Sequence, residues 1–163
     1  MPDPWFSARA NGRRIAAGLD DEPIRELREN ERRLGGFILP PFQRPPVWTE
    51  EQSVKLIESL WEGFPIGIYV VNRPQPHDGE CADWLLDGQQ RWTAIISYVN
   101  GDFPVFGALY PELTGLEQRR FRGITIGEAE TRLTDPADCL RVYNRLAYGG
   151  TPHDDHPEAQ MKL

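Results

Sequence analysis

The segment PPFQRPPVW, residues 40–48, leaves the backbone few courses. Proline fixes φ near about −65° and lacks an N–H, so four prolines in nine residues exclude an α-helix and a central strand. The segment must be an ordered irregular loop. Thr49 and Gln52 directly after it make a capping box, and the helix they open carries Val54, Ile57, Leu60 and Trp61 on one face before Gly63 ends it.

The rest of the chain alternates between strand and helix patterns. Residues 1–19 mix Pro, Gly, Ala and Arg with little periodicity and read as a loose N-terminal arm. Asp20-Asp21-Glu22-Pro23 resembles a helix start, and Ile24, Leu27 and Leu34 suggest a helix to about residue 33. Residues 37–39 read as a short strand, 66–71 as a β-branched strand, 73–83 as a polar loop and 84–86 as a buried strand. Residues 89–100 read as a helix with Trp92, Ile95, Ile96 and Val99 inward, stopped by Gly101. A short strand at 103–106, a helix capped by Thr114 and Glu117, a strand at 124–126 and a helix from Asp135-Pro136, with Leu140, Tyr143 and Leu146 inward, follow. The interleaving predicts an α+β fold, a small mixed sheet flanked by helices over residues 20–150, with an acidic tail at 151–163.

Composition narrows the function. The 163 residues carry a net charge of −7, which disfavours a surface that coats DNA. Sixteen of the eighteen basic residues are Arg, which suits bidentate contact with phosphate, although a compositional bias of the gene would do the same. The two cysteines, Cys81 and Cys139, lack metal or redox spacing, and no apolar run is long enough for a membrane span; a cytoplasmic protein is expected.

The polar clusters carry the chemistry. LLDGQQRWTAI runs from an apolar strand through Gly88 into a helix. Unpaired N–H groups of a first helical turn bind anions, and Gln89, Gln90 and Arg91 could add donors while Asp87 holds Mg²⁺ or positions water. Equally, Asp87 and Gln90 have the spacing of a capping box, with Gly88 as a plain turn. Gln43-Arg44 sits among prolines, either as a preorganised binding pair or as a surface loop. Trp48, just before the cap Thr49, reads as a hydrophobic staple or as a base-stacking ring. Asn144 and Arg145 lie on the polar side of the last helix, before Gly149-Gly150. His153 and His156 have metal-compatible spacing in the acidic tail.

In chain order, GFILPPFQRPPVWTEEQSVKLIESLWEGFPIGIYVV, LLDGQQRWTAIISYVNG and VYNRLAYGGTPH resemble the N-terminal domain of the GmrSD-type modification-dependent restriction enzymes. The likeness lies in a Pro-x-x-Gln-Arg loop before a Trp, a Gly-x-Pro-Ile-Gly turn, an Asp-Gly-Gln-Gln-Arg signature and a late Asn-Arg…Gly-Gly-Thr-Pro segment. The resemblance implies a ParB/sulfiredoxin-like fold and a nucleotide or phosphate site at the signature helix. It also implies NTP binding and hydrolysis, GTP-preferring in some relatives, that controls a DNA-cleaving partner. Carried across, the site comprises Asp87, Gly88, Gln89, Gln90 and Arg91, with Gln43, Arg44, Asn144 and Gly150. Ala147 departs from the family, which usually has a second Asn there. Full-length members continue into a nuclease domain with HNH-like chemistry, so a stand-alone form or a separate nuclease subunit is expected.

Three functions fit these residues. In the first, the domain hydrolyses an NTP with Mg²⁺: Asp87 handles metal or water, Gln89 or Gln90 orients water, and Arg91 and Arg44 neutralise phosphate charge. In the second, the same residues serve a metal-dependent nickase acting on a DNA phosphate. In the third, the domain is a non-catalytic regulator that recognises phosphate or a partner.

Overall fold

A computed structural model describes residues 11–148 of the chain. The elements are β1 (Asn11–Arg14), α1 (Ile15–Asp20), β2 (Arg32–Leu34), β3 (Phe37–Leu39), α2 (Glu50–Glu62), β4 (Ile68–Asn72), β5 (Leu85–Asp87), α3 (Gln89–Asn100), a 3₁₀ turn (Tyr110–Glu112), α4 (Gly115–Arg122), β6 (Thr125–Thr131) and α5 (Pro136–Tyr148). The main sheet runs β1-β6-β4-β5, with β4 and β6 parallel and the outer pairs antiparallel. β2 and β3 form a separate hairpin, joined to the approach of β5 by an Ile38–Trp84 bridge. This is the expected α+β class with a small mixed sheet.

Alternation along the strands sorts the core onto two faces. Tyr69, Val71, Leu85 and Ile126 meet Leu56, Ile57 and Leu60 of α2 and Trp92, Ile95 and Tyr98 of α3. Val70, Leu86 and Ala129 turn the other way, to Cys139, Val142 and Tyr143 of α5 with Ile38, Phe42 and Trp84. The sheet is thus held between an α2–α3 layer and α5. The expected helices at α2, α3, α4 and α5 form, and the capping boxes of Thr49 with Gln52 and of Thr114 with Glu117 are both closed. On α5 the inward residues are Cys139, Val142 and Tyr143, whereas Leu146 is exposed.

Three expectations are corrected. Residues 11–20 are not a loose arm: β1 pairs with β6, Asn11 opposite Glu128, and α1 seats Gly18 on Trp92 so closely that an added Cβ would lie 2.1 Å from the ring. A strand such as Asn-Gly-Arg-Arg has no apolar alternation to announce it, because its stability comes from a partner more than a hundred residues away. The region 103–106 is not a strand but a tight turn: Val105 and Ala108 exchange backbone hydrogen bonds of 3.0 and 3.1 Å around Phe106 and Gly107, both at positive φ.

The third correction is the helix expected at 20–33, which is absent. α1 ends at Asp20, and residues 21–31 are pinned as irregular chain by side chains from elsewhere. Glu31, nearly buried, accepts a two-pronged contact from Arg25 at 2.8 and 2.6 Å, the Arg28 N–H at 2.7 Å and the Trp84 indole N–H at 2.6 Å. The Ile24 N–H is taken by Asp83 at 2.9 Å. Such charge-assisted bonds outweigh the few tenths of a kcal/mol per residue, on the order of helix propensity, that the pattern offered.

Burial raises the Glu31 pKa, but the bonds from Arg25, the Arg28 N–H and Trp84 more than offset this and hold it below the usual carboxylate range. A depressed folded pKa gives stability that is complete above the unfolded value, about 4.3, and is lost as pH falls through the folded value. Glu31→Gln should therefore cost about 2 kcal/mol at pH 7, by taking the carboxylate from part-buried Arg25, which keeps only the Glu26 and Glu80 carbonyls. The difference from wild type should shrink below about pH 4, a comparison that denaturant midpoints at both pH values would read.

Candidate functional site

The site is built from the strand-to-helix junction outward. Gly88 stands between β5 and α3 with φ +102°, and a Cβ there would come 2.6 Å from the Tyr69 Cβ on the neighbouring strand. Only glycine allows this course and this contact. The turn aims the first turn of α3 at residues 40–48. No side chain caps that turn.

The capping box read from Asp87 and Gln90 does not form, because both side chains are engaged elsewhere. Asp87 accepts from Arg91 at 3.1 Å. Gln90 Oε1 accepts from the backbone N–H groups of Val47 and Trp48, each at 3.1 Å, and so clamps the proline loop over the start of α3. The loop is anchored twice more: buried Gln43 donates its side-chain amide to the Leu85 carbonyl at 2.8 Å, and Arg32 donates to the Gln43 carbonyl at 3.2 Å.

These anchors enclose a cavity of about 230 Å³. Gln43, Arg44, Pro45, Val47 and Trp48 line it from the loop, and Leu86, Asp87 and Gly88 from the junction. Gln89, Gln90 and Arg91 line it from α3, and Tyr143 and Ala147 from α5. Every loop and signature residue singled out in the sequence thus meets in one place. Asn144 is half-buried one position after Tyr143. Gly150, His153 and His156 lie outside the described residues.

Gln89 is 93% buried, being 7% exposed, and its amide Nε2 has no hydrogen-bond partner among the described residues. A buried polar group normally has one. Gln89 opens α3, whose first turn has no side-chain cap, and a helix N-terminus of that kind suits an anion. Arg91 is held in place by the Ile66 carbonyl at 3.0 Å as well as by Asp87. This explains the GFPIG turn, because a Cβ on Gly67 would lie 3.1 Å from the Arg91 guanidinium. Arg44 is exposed at the mouth, its guanidinium 5.1 Å from the centre of the Tyr148 ring. Sequence reasoning missed Pro45, Val47, Tyr143 and Tyr148. The flanking prolines were a signal for the first two; the tyrosines stand in the VYNRLAYGGTPH segment, where Tyr143 reads as an inward core residue and Tyr148 has no role assigned.

The family model of the GmrSD restriction endonuclease N-terminal domain matches residues 24–156. The chain belongs to this family. No curated protein and no solved structure matches it. In this GmrSD N-terminal domain the matched span takes in the whole cavity, including the proline loop and α5.

The residues present bear on the Mg²⁺ expectation. Asp87 is the one carboxylate lining the cavity, and among the described residues no cluster of three metal-ligating side chains exists. Magnesium commonly uses one or two carboxylates, with substrate phosphates and water completing its shell. Asp87, with one oxygen on Arg91 and a half-exposed side chain, fits an ion that arrives with a phosphate ligand. No helix among the described residues is long and apolar enough to cross a membrane.

Gly88→Ala tests the junction. Positive φ and the Tyr69 contact together should cost about 2–3 kcal/mol, which for a chain of this size lowers Tm by roughly 4–12 °C; an unchanged Tm would mean the junction can be built without glycine.

Proposed function

We propose that the cavity binds the phosphate chain of a nucleoside triphosphate and supports its hydrolysis, as the regulatory part of a restriction system. The observation that carries this reading is Gln89, a buried amide without a partner beside the uncapped first turn of α3. A phosphate oxygen at that turn would accept from its N–H groups, and rotation of the Gln89 side chain toward the cavity would let the amide donate to it as well; the low-dielectric wall would strengthen each bond. At about 230 Å³ the cavity is smaller than the roughly 300–1,000 Å³ that encloses a whole drug-sized ligand. It suits phosphoryl groups, with the nucleoside lying outward past Val47 and Trp48.

The division of labour follows from the bonds already made. Gln89 and the α3 N–H groups hold phosphate oxygens. Arg91, oriented by Ile66 and Asp87, neutralises developing charge, and Arg44 does so from the mouth. Gln90 is spent as an acceptor on Val47 and Trp48, so it positions the loop, and orienting an attacking water falls to Asp87. A Mg²⁺ bound with the phosphates would neutralise their charge and polarise the oxygen under attack. The net charge of −7 supports a mononucleotide over polymeric DNA as the ligand. The nuclease that such a site would regulate, together with its DNA, belongs to the same proposal and rests on the family alone.

The test is thermal stabilisation by ATP, GTP, CTP and UTP, each with Mg²⁺, followed by phosphate release. A ligand at about 100 times its Kd adds about 2.7 kcal/mol, so Tm should rise by several degrees with at least one nucleotide. Gln89→Leu removes the unpartnered amide. It should leave the ligand-free Tm unchanged or slightly higher while abolishing the shift and the turnover. Binding without phosphate release would make the domain a non-catalytic regulator. No shift, with relaxation of supercoiled plasmid in Mg²⁺, would replace this reading by the nickase.

A further inference from the structure

We infer that Tyr148 is a positioning residue for Arg44, and that the last turn of α5 is therefore a working part of the phosphate site. The inference rests on the nucleotide reading above and extends it to Tyr148, which stands in the VYNRLAYGGTPH segment but was given no role from the sequence.

The backbone around Arg44 is fixed. Gln43 is anchored through its side chain to Leu85 and through its carbonyl to Arg32, Pro45 and Pro46 follow at once, and Gln90 holds Val47 and Trp48. What remains free is the Arg44 side chain, exposed and with four rotatable bonds. An arginine left to wander over solvent loses much of its effect on a nearby anion, because ordering it on binding costs entropy. Tyr148 removes that freedom. Its ring face lies 5.1 Å from the guanidinium carbon, within the range of a cation–π contact. A guanidinium lying over a ring can keep its edge N–H donors for a phosphate oxygen.

Tyr148 closes α5, the helix whose Tyr143 and Ala147 form one wall of the cavity, so the ring and the wall move as one body. Among the described residues the Tyr148 hydroxyl has no hydrogen-bond partner, whereas the ring has the Arg44 guanidinium, so phenylalanine should replace tyrosine without loss.

The experiment follows the Arg44 Nε–Hε resonance in the full chain by NMR and measures the affinity for inorganic triphosphate with Mg²⁺ by calorimetry. It uses wild type, Tyr148→Phe and Tyr148→Leu, each with Arg44 and with Arg44→Gln. Wild type and Tyr148→Phe should show the Arg44 signal displaced by the aromatic ring and equal affinity. Tyr148→Leu should lose the displacement and bind about three- to five-fold more weakly, and in the Arg44→Gln background Tyr148→Leu should have no further effect. If wild type binds triphosphate and Tyr148→Leu binds equally well, or loses affinity equally in both backgrounds, Tyr148 does not act through Arg44 and the inference falls while the phosphate site stands. If wild type binds no triphosphate and no nucleotide, the phosphate reading itself falls and takes the inference with it.

Discussion

The contact of Gly88 with Tyr69 sets the geometry on which the site depends. β5 is only three residues long, and the chain must leave it, turn and enter α3 within a single residue. A backbone at φ +102° pressed against the Tyr69 Cβ achieves that and leaves no room for a side chain. Because the turn is tight, the first helical residues emerge beside the strand end, where the proline loop can cover them. A longer connection would let α3 start elsewhere, and Gln90 would not reach the N–H groups of Val47 and Trp48.

Tyr69 joins this junction to the polar interior. Its ring packs edge-on to Trp92 and Phe37, while its hydroxyl donates to Glu128 on β6. Burial and then Glu128 raise the phenol above its ordinary pKa, so it remains a donor. Glu128 also meets Arg73, which reaches Glu130 at 2.8 Å and Asp83 at 3.8 Å, while Arg13 of β1 stands 3.6 Å away. Asp83 in turn lies 2.8 Å from His77 Nε2, accepting from it in the Nε2–H tautomer, and it accepts from the Ile24 N–H. Next to this network, fully buried Asn72 satisfies both ends of its amide, donating to the Cys81 and Leu133 carbonyls and accepting from Thr131 and the Leu133 N–H. Buried polar groups that are all paired specify one arrangement of chain. Here they fix β1, β6, β4 and the 73–84 loop relative to one another.

What was legible in the sequence was what local chemistry decides. The Thr49–Gln52 and Thr114–Glu117 boxes, the glycines after α2 and α3 and the apolar faces of those helices act within a turn or two, so a window of sequence contains their cause. The prolines announced an irregular loop for the same reason. Illegible were the features decided by distant partners. Residues 21–31 carry a helix-like start, yet Arg25, Glu31 and Trp84 form a buried set that no local pattern reveals. Asp87 and Gln90 have cap spacing, yet Arg91 and the proline loop compete for their side chains. In the site, the residues picked out were the Gln and Arg side chains beside a buried strand end, and Gln43, Arg44 and the run from Asp87 to Arg91 do line one cavity. The division of labour among them was not legible, since that depends on which donors the fold has already used.

That division separates residues that fold the site from residues left over for a ligand. Gln43, Gln90, Asp87 and the Ile66 carbonyl spend hydrogen bonds on holding the loop and Arg91. Gln89 Nε2 has no partner among the described residues, the α3 turn has no side-chain cap, and Gln89 is one of the residues lining the cavity. A buried donor costs about 1–3 kcal/mol while it lacks a partner, and this one belongs to the first residue of α3, where the helix terminus also favours negative charge. Removing such a donor relieves the empty protein, whereas removing Gln90 or Gln43 would loosen the frame. The opposite signs of those two effects on stability distinguish a binding residue from a scaffold residue before any ligand is known.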